Sequence, residues 1–351
     1  MAGQPLRIAM VTTFYPPYNF GGDGIFVQRL ARALVNRGHS VEVIHDTDAY
    51  RMMSGRAPEV EFEDDGVRVH RLRSPHKFMS SLGVQQLGRP TTHKERLTEL
   101  LDGRFDVINY HNVSLIGGPG VWKIGTGVKI HTAHEHWLVC PSHILWRNKK
   151  ERCDSKHCLT CVLRHGRPPQ LWRATGKMKK DAAHVDTFVM LSQSAEDNHK
   201  RFGFDAPTEV VPSFLPDLPP QLEAATTLQD ADARPFFLFV GRLEDYKGLQ
   251  DVIPHFTEEL PADLIIAGTG DYEPALRKQA EGHPSVRFLG HLPPSELRQL
   301  YRRAVALVTP SRCYEVFPMV LLEAFRGCSP DHVQAALTGT DRWGETPFVV
   351  A

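Results

Sequence analysis

RIAMVTTFYPPYNFGGDGIFVQRLARALVNRGHSVEVI, residues 7–44, decides the fold. Arg7 to Thr12 is a short apolar run of strand length, closed by the loop FYPPYNFGGDG. From Ile25 to Asn36 the apolar residues Ile25, Phe26, Leu30, Ala33 and Leu34 recur at helical spacing, and Arg37-Gly38 is a stop signal. Val41 to Ile44 is the next strand. Strand, glycine loop, helix and strand in this order make a βαβ unit, the start of a parallel sheet with helices on its faces. Further strands are expected at Val67 to Leu72, Val107 to Asn109, Val128 to His131 and Phe188 to Leu191, with Val210-Val211 as another. Residues 212–235, PSFLPDLPPQLEAATTLQDADARP, have no sustained apolar period and read as a linker. A second βα alternation follows, with strands at Phe236 to Val240, Leu264 to Ala267, Val286 to Leu289 and Ala304 to Val308. The expected class is therefore α/β with two consecutive domains and a ligand cleft at their strand ends: residues 1–212, a linker over 213–235, and residues 236–351.

Length and charge narrow the function classes. A chain of 351 residues has room for two cores. Its 41 Lys and Arg balance 41 Asp and Glu, so the whole chain carries no electrostatic signature of nucleic-acid binding. The start, MAGQPLRIAMVTTF, reads as a strand and not as a signal peptide, and no run approaches the ~20 apolar residues of a membrane span. A cytoplasmic protein is expected. One stretch, residues 164–180, has six Lys or Arg, no acid and one Trp, a composition suited to anionic lipid at the inner face of a membrane; a solvated basic face looks the same.

Several motifs carry chemistry. Phe20 to Gly24, FGGDG, puts Gly21 and Gly22 where a strand hands over to a helix, so the backbone can approach a phosphate at the helix N-terminus. It is not the G-x-G-x-x-G fingerprint, although Asp46 follows at a distance that leaves a nicotinamide-dependent oxidoreductase open. VGRLEDYKG, residues 240–248, places Arg242 and Lys247 after the first strand of the second half, a guanidinium fork and an ammonium suited to a diphosphate. AGTGDYEPAL brings Gly268 and Gly270 just ahead of a helix start at Glu273-Pro274. In SRCYEVFPMVLLEAF, residues 311–325, Glu315 falls in a turn and Glu323 inside a helix with Pro318 in its first turn. Two such carboxylates suit several hydroxyls along an extended polar ligand; a capping glutamate and a lysine-paired glutamate would show the same spacing. Cys140, Cys153, Cys158 and Cys161 form C-x12-C-x4-C-x2-C in a polar loop over 140–161, a pattern for a structural zinc or for reduced thiols, with His143 and His157 as substitute ligands. Cys313 and Cys328 have no partner spacing and are expected to be buried. The D-x-D triplets at Asp46 and Asp230 read as chance.

These motifs together resemble the retaining glycosyltransferases of the GT-B fold, family four, which use nucleotide-sugar donors. The Gly21-Gly22 loop, VGRLEDYKG, AGTGDYEPAL, VRFLGHLPPSEL and TPSRCYEVFPMVLLEA carry the resemblance in order, the last being similar to the family's E-x7-E motif with Pro318 where glycine is usual. The resemblance implies two Rossmann-like domains facing a cleft. It implies that Arg242 and Lys247 hold the donor diphosphate, that Glu323 takes the ribose hydroxyls and Glu315 the sugar hydroxyls, and that His134 in HTAHEHW lies near the reacting sugar. The donor would be a UDP- or GDP-sugar and the acceptor a saccharide or a lipid-linked glycan of the cell envelope, with no catalytic metal. After Arg326 the text, GCSPDHVQAALTGTDRWGETPFVVA, departs from the pattern. An incomplete second domain with an unprotected sheet edge is expected there, and with it the alternative of a non-catalytic relative that binds nucleotide or glycan.

Overall fold

In the first half, β1 (Arg7–Thr12), α1 (Gly22–Asn36), β2 (Ser40–Asp46), α2 (Thr47–Ser54), β3 (Val67–Leu72), α3 (Lys77–Leu87), α4 (Lys94–Leu101), β4 (Val107–Tyr110) and β5 (Val128–Ala133) follow in order. A hairpin of β6 (Trp146–Arg147) and β7 (Glu151–Arg152) comes next, then α5 (Cys158–Arg164), α6 (Lys177–Ala182), β8 (Thr187–Met190), α7 (Gln193–Arg201) and β9 (Thr208–Val210). These are features of a computed structural model, which describes residues 4–55, 58, 64, 66–216, 234–327 and 348–350. The chain divides into two units, Met1–His143 with Ser155–Pro212, and Ile144–Asp154 with Ser213–Ala351.

The sheet of the first unit runs β3-β2-β1-β4-β5-β8-β9, and every neighbouring pair is parallel. β1 lies inside the sheet, between β2 and β4, and both of its faces are covered. Ile8 and Met10 pack on one side with Val27 and Ala31 of α1, while Ala9 and Val11 face the other with Ile108 and Phe188. That is why the strand reads as a continuous apolar run and not as an alternation. Burying each such valine or methionine contributes about 1.5–3 kcal/mol. Strand order reverses between β1 and β4, and a doubly wound sheet collects its ligands at the strand carboxyl ends beside such a switch.

The second unit repeats the plan with β10 (Phe236–Val240), α8 (Leu249–Val252), β11 (Asp263–Ala267), α9 (Glu273–Gln279), β12 (Val286–Gly290), α10 (Pro294–Arg303), β13 (Ala306–Thr309), α11 (Met319–Gly327) and β14 (Phe348–Val350). Its sheet order is β12-β11-β10-β13-β14, with the switch between β10 and β13. Leu238 of β10 faces Tyr301, Leu307 and Leu321, and Phe239 faces Leu264, Ile266 and Leu276.

Three expectations change. The loop over 140–161 is not confined to the first half, because Ile144–Asp154 belongs to the second unit. There Trp146 buries itself with Tyr246 and Cys313, giving the hairpin a core that its polar sequence does not advertise. The edge expected to be unprotected is also occupied, since β14 pairs antiparallel with β13, Leu307 opposite Val350 and Thr309 opposite Phe348. Cys328 and the rest of residues 328–347 lie outside the described residues, as does 217–233 of the linker. Finally, Pro318 stands just ahead of α11 and not in its first turn, its carbonyl accepting from the Leu321 N–H at 3.0 Å.

Candidate active site

In the second unit the loops after β10, β11 and β13 are laced together by their backbones. Gly241 N–H donates to Ala267 O at 3.1 Å, Leu243 N–H to Thr269 O at 3.0 Å and Arg312 N–H to Tyr246 O at 2.8 Å. Two glycines make this possible. A Cβ on Gly268, at φ +143°, would lie 1.9 Å from Gly241 O, and one on Gly248, at φ +78°, would lie 2.0 Å from Pro310 O.

The lacing brings the charged residues together. A 3-10 turn over Asp245–Lys247 presents Lys247, whose Nζ donates to Glu315 Oε1 at 2.6 Å, and Ser311 Oγ donates to the same oxygen at 2.6 Å. The two side chains are only 22% and 26% exposed. Burial works against both charges, yet each outweighs that penalty for the other: the Lys247 ammonium is held above its ordinary range and the Glu315 carboxyl below its own. Arg242 adds to the effect on Glu315, and its guanidinium donates to Tyr246 Oη at 3.2 Å. Glu323, further along in α11, takes a separate partner, accepting from Tyr301 Oη at 3.2 Å. Gly270 closes the set, with no room for a Cβ against the backbone of Leu243.

The first unit holds a second constellation at its own switch point. Gly21, which has no side chain to cap with, precedes α1, and the Asp23 carboxylate accepts from the Gly24 and Asp23 N–H groups of its first turn. His134, just beyond β5, lies 2.9 Å from His111 Nδ1, just beyond β4, and edge-on to Phe26. Burial pulls His134 down to about 4 and His111 well below its ordinary value. Both rings are therefore neutral near pH 7, one donating and the other accepting. Asn112 donates to Asp23 at 3.0 Å, and Glu135 pairs with His143 at 2.6 Å. Asp23, His111, Asn112 and Glu135 escaped the sequence reading; their position just past a strand end at the switch point is the signal that finds them.

Other expectations fare differently. Cys140, Cys153, Cys158, Cys161 and Cys313 are in no disulfide. Among the described residues no three of the first four sulfurs come within 4.8 Å of one another, while burial, with the Cys140 and Cys161 thiols nearby, raises the Cys158 thiol. The group that does meet that distance is Asp46, Asp48 and His93, all buried. Trp172 of the basic stretch is not available to lipid, because it is buried and donates to Gln85 O at 2.9 Å, with the Arg173 guanidinium 4.8 Å from its ring centre. No helix among the described residues is long and apolar enough to cross a membrane.

Two doubly wound α/β units, the second carrying fixed cations at its strand ends, define a GT-B-fold glycosyltransferase. Residues 20–216 match the family model Glycosyltransferase Family 4, and residues 224–330 match Glycosyl transferases group 1. The first match spans more than half of the chain, which belongs to glycosyltransferase family 4. It is similar to the Klebsiella pneumoniae "uncharacterized 42.6 kDa protein in cps region", at 26% identity over 91% of this chain and 82% of that one. It is also similar to glycogen synthase of Mycobacterium tuberculosis, at 29% identity over 93% and 77%. Among solved structures, Anabaena HepE in complex with UDP and glucose shares the fold, with a TM-score of 0.57 and 16% identity over 91% of this chain and 78% of that one.

Proposed function

We propose that the enzyme moves a sugar from a nucleotide-diphosphate donor to a saccharide or lipid-linked acceptor, with retention at the anomeric carbon, in polysaccharide or envelope glycan synthesis. The observation that carries this reading is the largely buried Lys247–Glu315 pair beside Arg242, at the carboxyl ends of β10 and β13. As the bond from the anomeric carbon to the diphosphate breaks, the electron pair leaves with the phosphate oxygen. Arg242 and Lys247, already fixed in place, stabilise that charge without having to reorganise. Because these cations meet the leaving group, no catalytic metal is expected. Glu315 holds Lys247 while its remaining lone pairs accept from sugar hydroxyls, and Glu323 serves the ribose. Gly268 and Gly270 let backbone approach the donor, as Gly21 and Gly22 do in the first unit. Neutral His134 can give or take one hydrogen bond at the reacting sugar. The glycogen synthase relative supports a nucleotide-sugar donor and a saccharide acceptor.

The test is NMR observation of UDP-, GDP- and ADP-sugars with the purified chain and an oligosaccharide acceptor. At least one donor should be consumed with release of its nucleoside diphosphate. If none is consumed above the buffer rate, the reading fails.

A further inference from the structure

One proton lies between His111 Nδ1 and His134 Nε2, which are 2.9 Å apart, and the ring that owns it decides what His134 can do. We propose that His111 is a positioning residue: its Nδ1–H donates to His134 Nε2, which fixes the His134 proton on Nδ1 and makes His134 a hydrogen-bond donor to the reacting sugar. The inference deepens the transferase reading, on which the word sugar rests, while the tautomer itself does not depend on it.

The two rings are not free to share the proton in either sense. His111 is 1% exposed, and its other ring nitrogen, Nε2, is buried with no hydrogen-bond partner among the described residues. Burial keeps both imidazoles neutral near pH 7, so each carries one N–H and one bare nitrogen. If His134 were the donor, the His111 proton would have to sit on Nε2, a buried N–H with nothing to accept it. That costs the desolvation penalty of a hydrogen bond left unmade, and in folded backbones orphaned N–H groups are rarer than under-satisfied acceptors. With the proton on Nδ1 the bond to His134 is made and only a lone pair stays bare. The geometry suits a directed bond. The ring centres are 5.2 Å apart, the 2.9 Å contact plus one ring radius at each end, so the bond runs along the line of centres with the planes only 28° from parallel. The sheet holds it there: His111 directly follows β4 and His134 directly follows β5, which are paired in parallel, and His111 N–H donates to Val11 O at 2.9 Å. Phe26 of α1 stands edge-on to the His134 ring at 4.9 Å. His134, unlike His111, is only partly buried, and with Nε2 committed its Nδ1 is the nitrogen that remains for a ligand. A fixed N–H there demands an acceptor oxygen on the sugar and discriminates against a sugar lacking one.

The test is nitrogen-15 NMR of the full chain labelled at its histidine rings, with no sugar present and with His134→Asn assigning the His134 signals. His134 should show Nδ1 protonated and Nε2 bare in wild type. It should do so again in His111→Asn, whose amide N–H stands where the Nδ1–H stood, and should lose that preference in His111→Phe, which has no donor. In transfer assays His111→Phe should lower kcat/KM about 10-fold, the worth of one hydrogen bond, and His111→Asn should restore most of the loss. Where His111→Phe does not fold, His111→Gln replaces it, because its longer amide overshoots the Nδ1 position. The proposal is overturned if wild-type His134 carries its proton on Nε2, if His111→Asn loses as much activity as the variant without a placed donor, or if that variant turns over like wild type. A chain that consumes no nucleotide sugar counts against the transferase reading, and the tautomer still decides the proposal.

Discussion

Replacing Lys247 by methionine probes the core of the mechanism, because it deletes a charge and keeps the length of the side chain. In the native enzyme its ammonium donates to Glu315 at 2.6 Å, and both groups are about three-quarters buried. A charge-assisted hydrogen bond is worth about 1.5–3 kcal/mol. The remaining exposure lets water resolvate Glu315, which points to the lower end, about 1.5 kcal/mol. For a protein of this size that is a fall in melting temperature of roughly 2 °C. Transfer should fall at least ~10-fold, since about 1.4 kcal/mol of lost leaving-group stabilisation is a factor of ten. Adding Glu315→Gln in the same chain removes the stranded carboxylate, so stability should recover by about 1 kcal/mol or more. Turnover should not recover. Thermal unfolding and donor consumption, measured on the same preparations, separate the two effects. If the double variant regains activity along with stability, the pair is only a structural bridge and the catalytic assignment is wrong.

Two further outcomes are expected. Burial pulls His134 and His199 down to about 4 and His45 and His131 to about 3. Between the unfolded value of about 6.5 and these folded values only the unfolded chain takes up the protons, so their stability contribution is complete above pH ~6.5 and is lost on acidification. Each costs up to about 1.4 kcal/mol per pH unit. Asp46, pushed up to about 7 by burial, works in the opposite sense, its contribution complete below pH ~4 and lost as pH rises to 7. Burial raises Asp23 and Glu244 as well, but His111 and His136 join the four histidines that burial lowers, making three groups against six. The melting temperature should therefore drop steeply from pH 6.5 to 5, and a flat or rising profile would contradict the burial of these rings. Gly268→Ala should destabilise the second unit by about 2 kcal/mol or more and weaken nucleotide binding, because its Cβ would meet Gly241 O at 1.9 Å; unchanged unfolding and UDP titrations would show that the loops can part freely.

How much of this was legible depended on whether the cause was local. Strands β1 and β10 fall on their expected residues because apolar runs bounded by turn residues need no distant information, and β3, VRVHRL, falls on its own because its valines alternate with charged residues. α1 begins at Gly22, ahead of its apolar period, since a helix start is set by backbone geometry and not by hydrophobic spacing. In the site, VGRLEDYKG and the spacing of Glu315 and Glu323 could be read directly, but the Lys247–Glu315 bond joins residues 68 apart and only the sheet order brings β10 beside β13. The His111–His134 contact is of the same kind, made by adjacent β4 and β5. Composition misled where a polar stretch hides a packed residue. Trp172 is enclosed with Arg173, and Trp146 carries its hairpin into the second unit.

The central claim is that a nucleotide sugar binds the second unit through Arg242, Lys247, Glu315 and Glu323. Its most direct test is calorimetric titration of UDP, GDP and ADP into the full chain and into Glu323→Ala. One nucleoside diphosphate should bind wild type, and Glu323→Ala, which removes the proposed ribose acceptor, should weaken it about 10-fold or more. If none of the three binds wild type, or if the tightest binds Glu323→Ala equally well, the assignment of the donor site is contradicted.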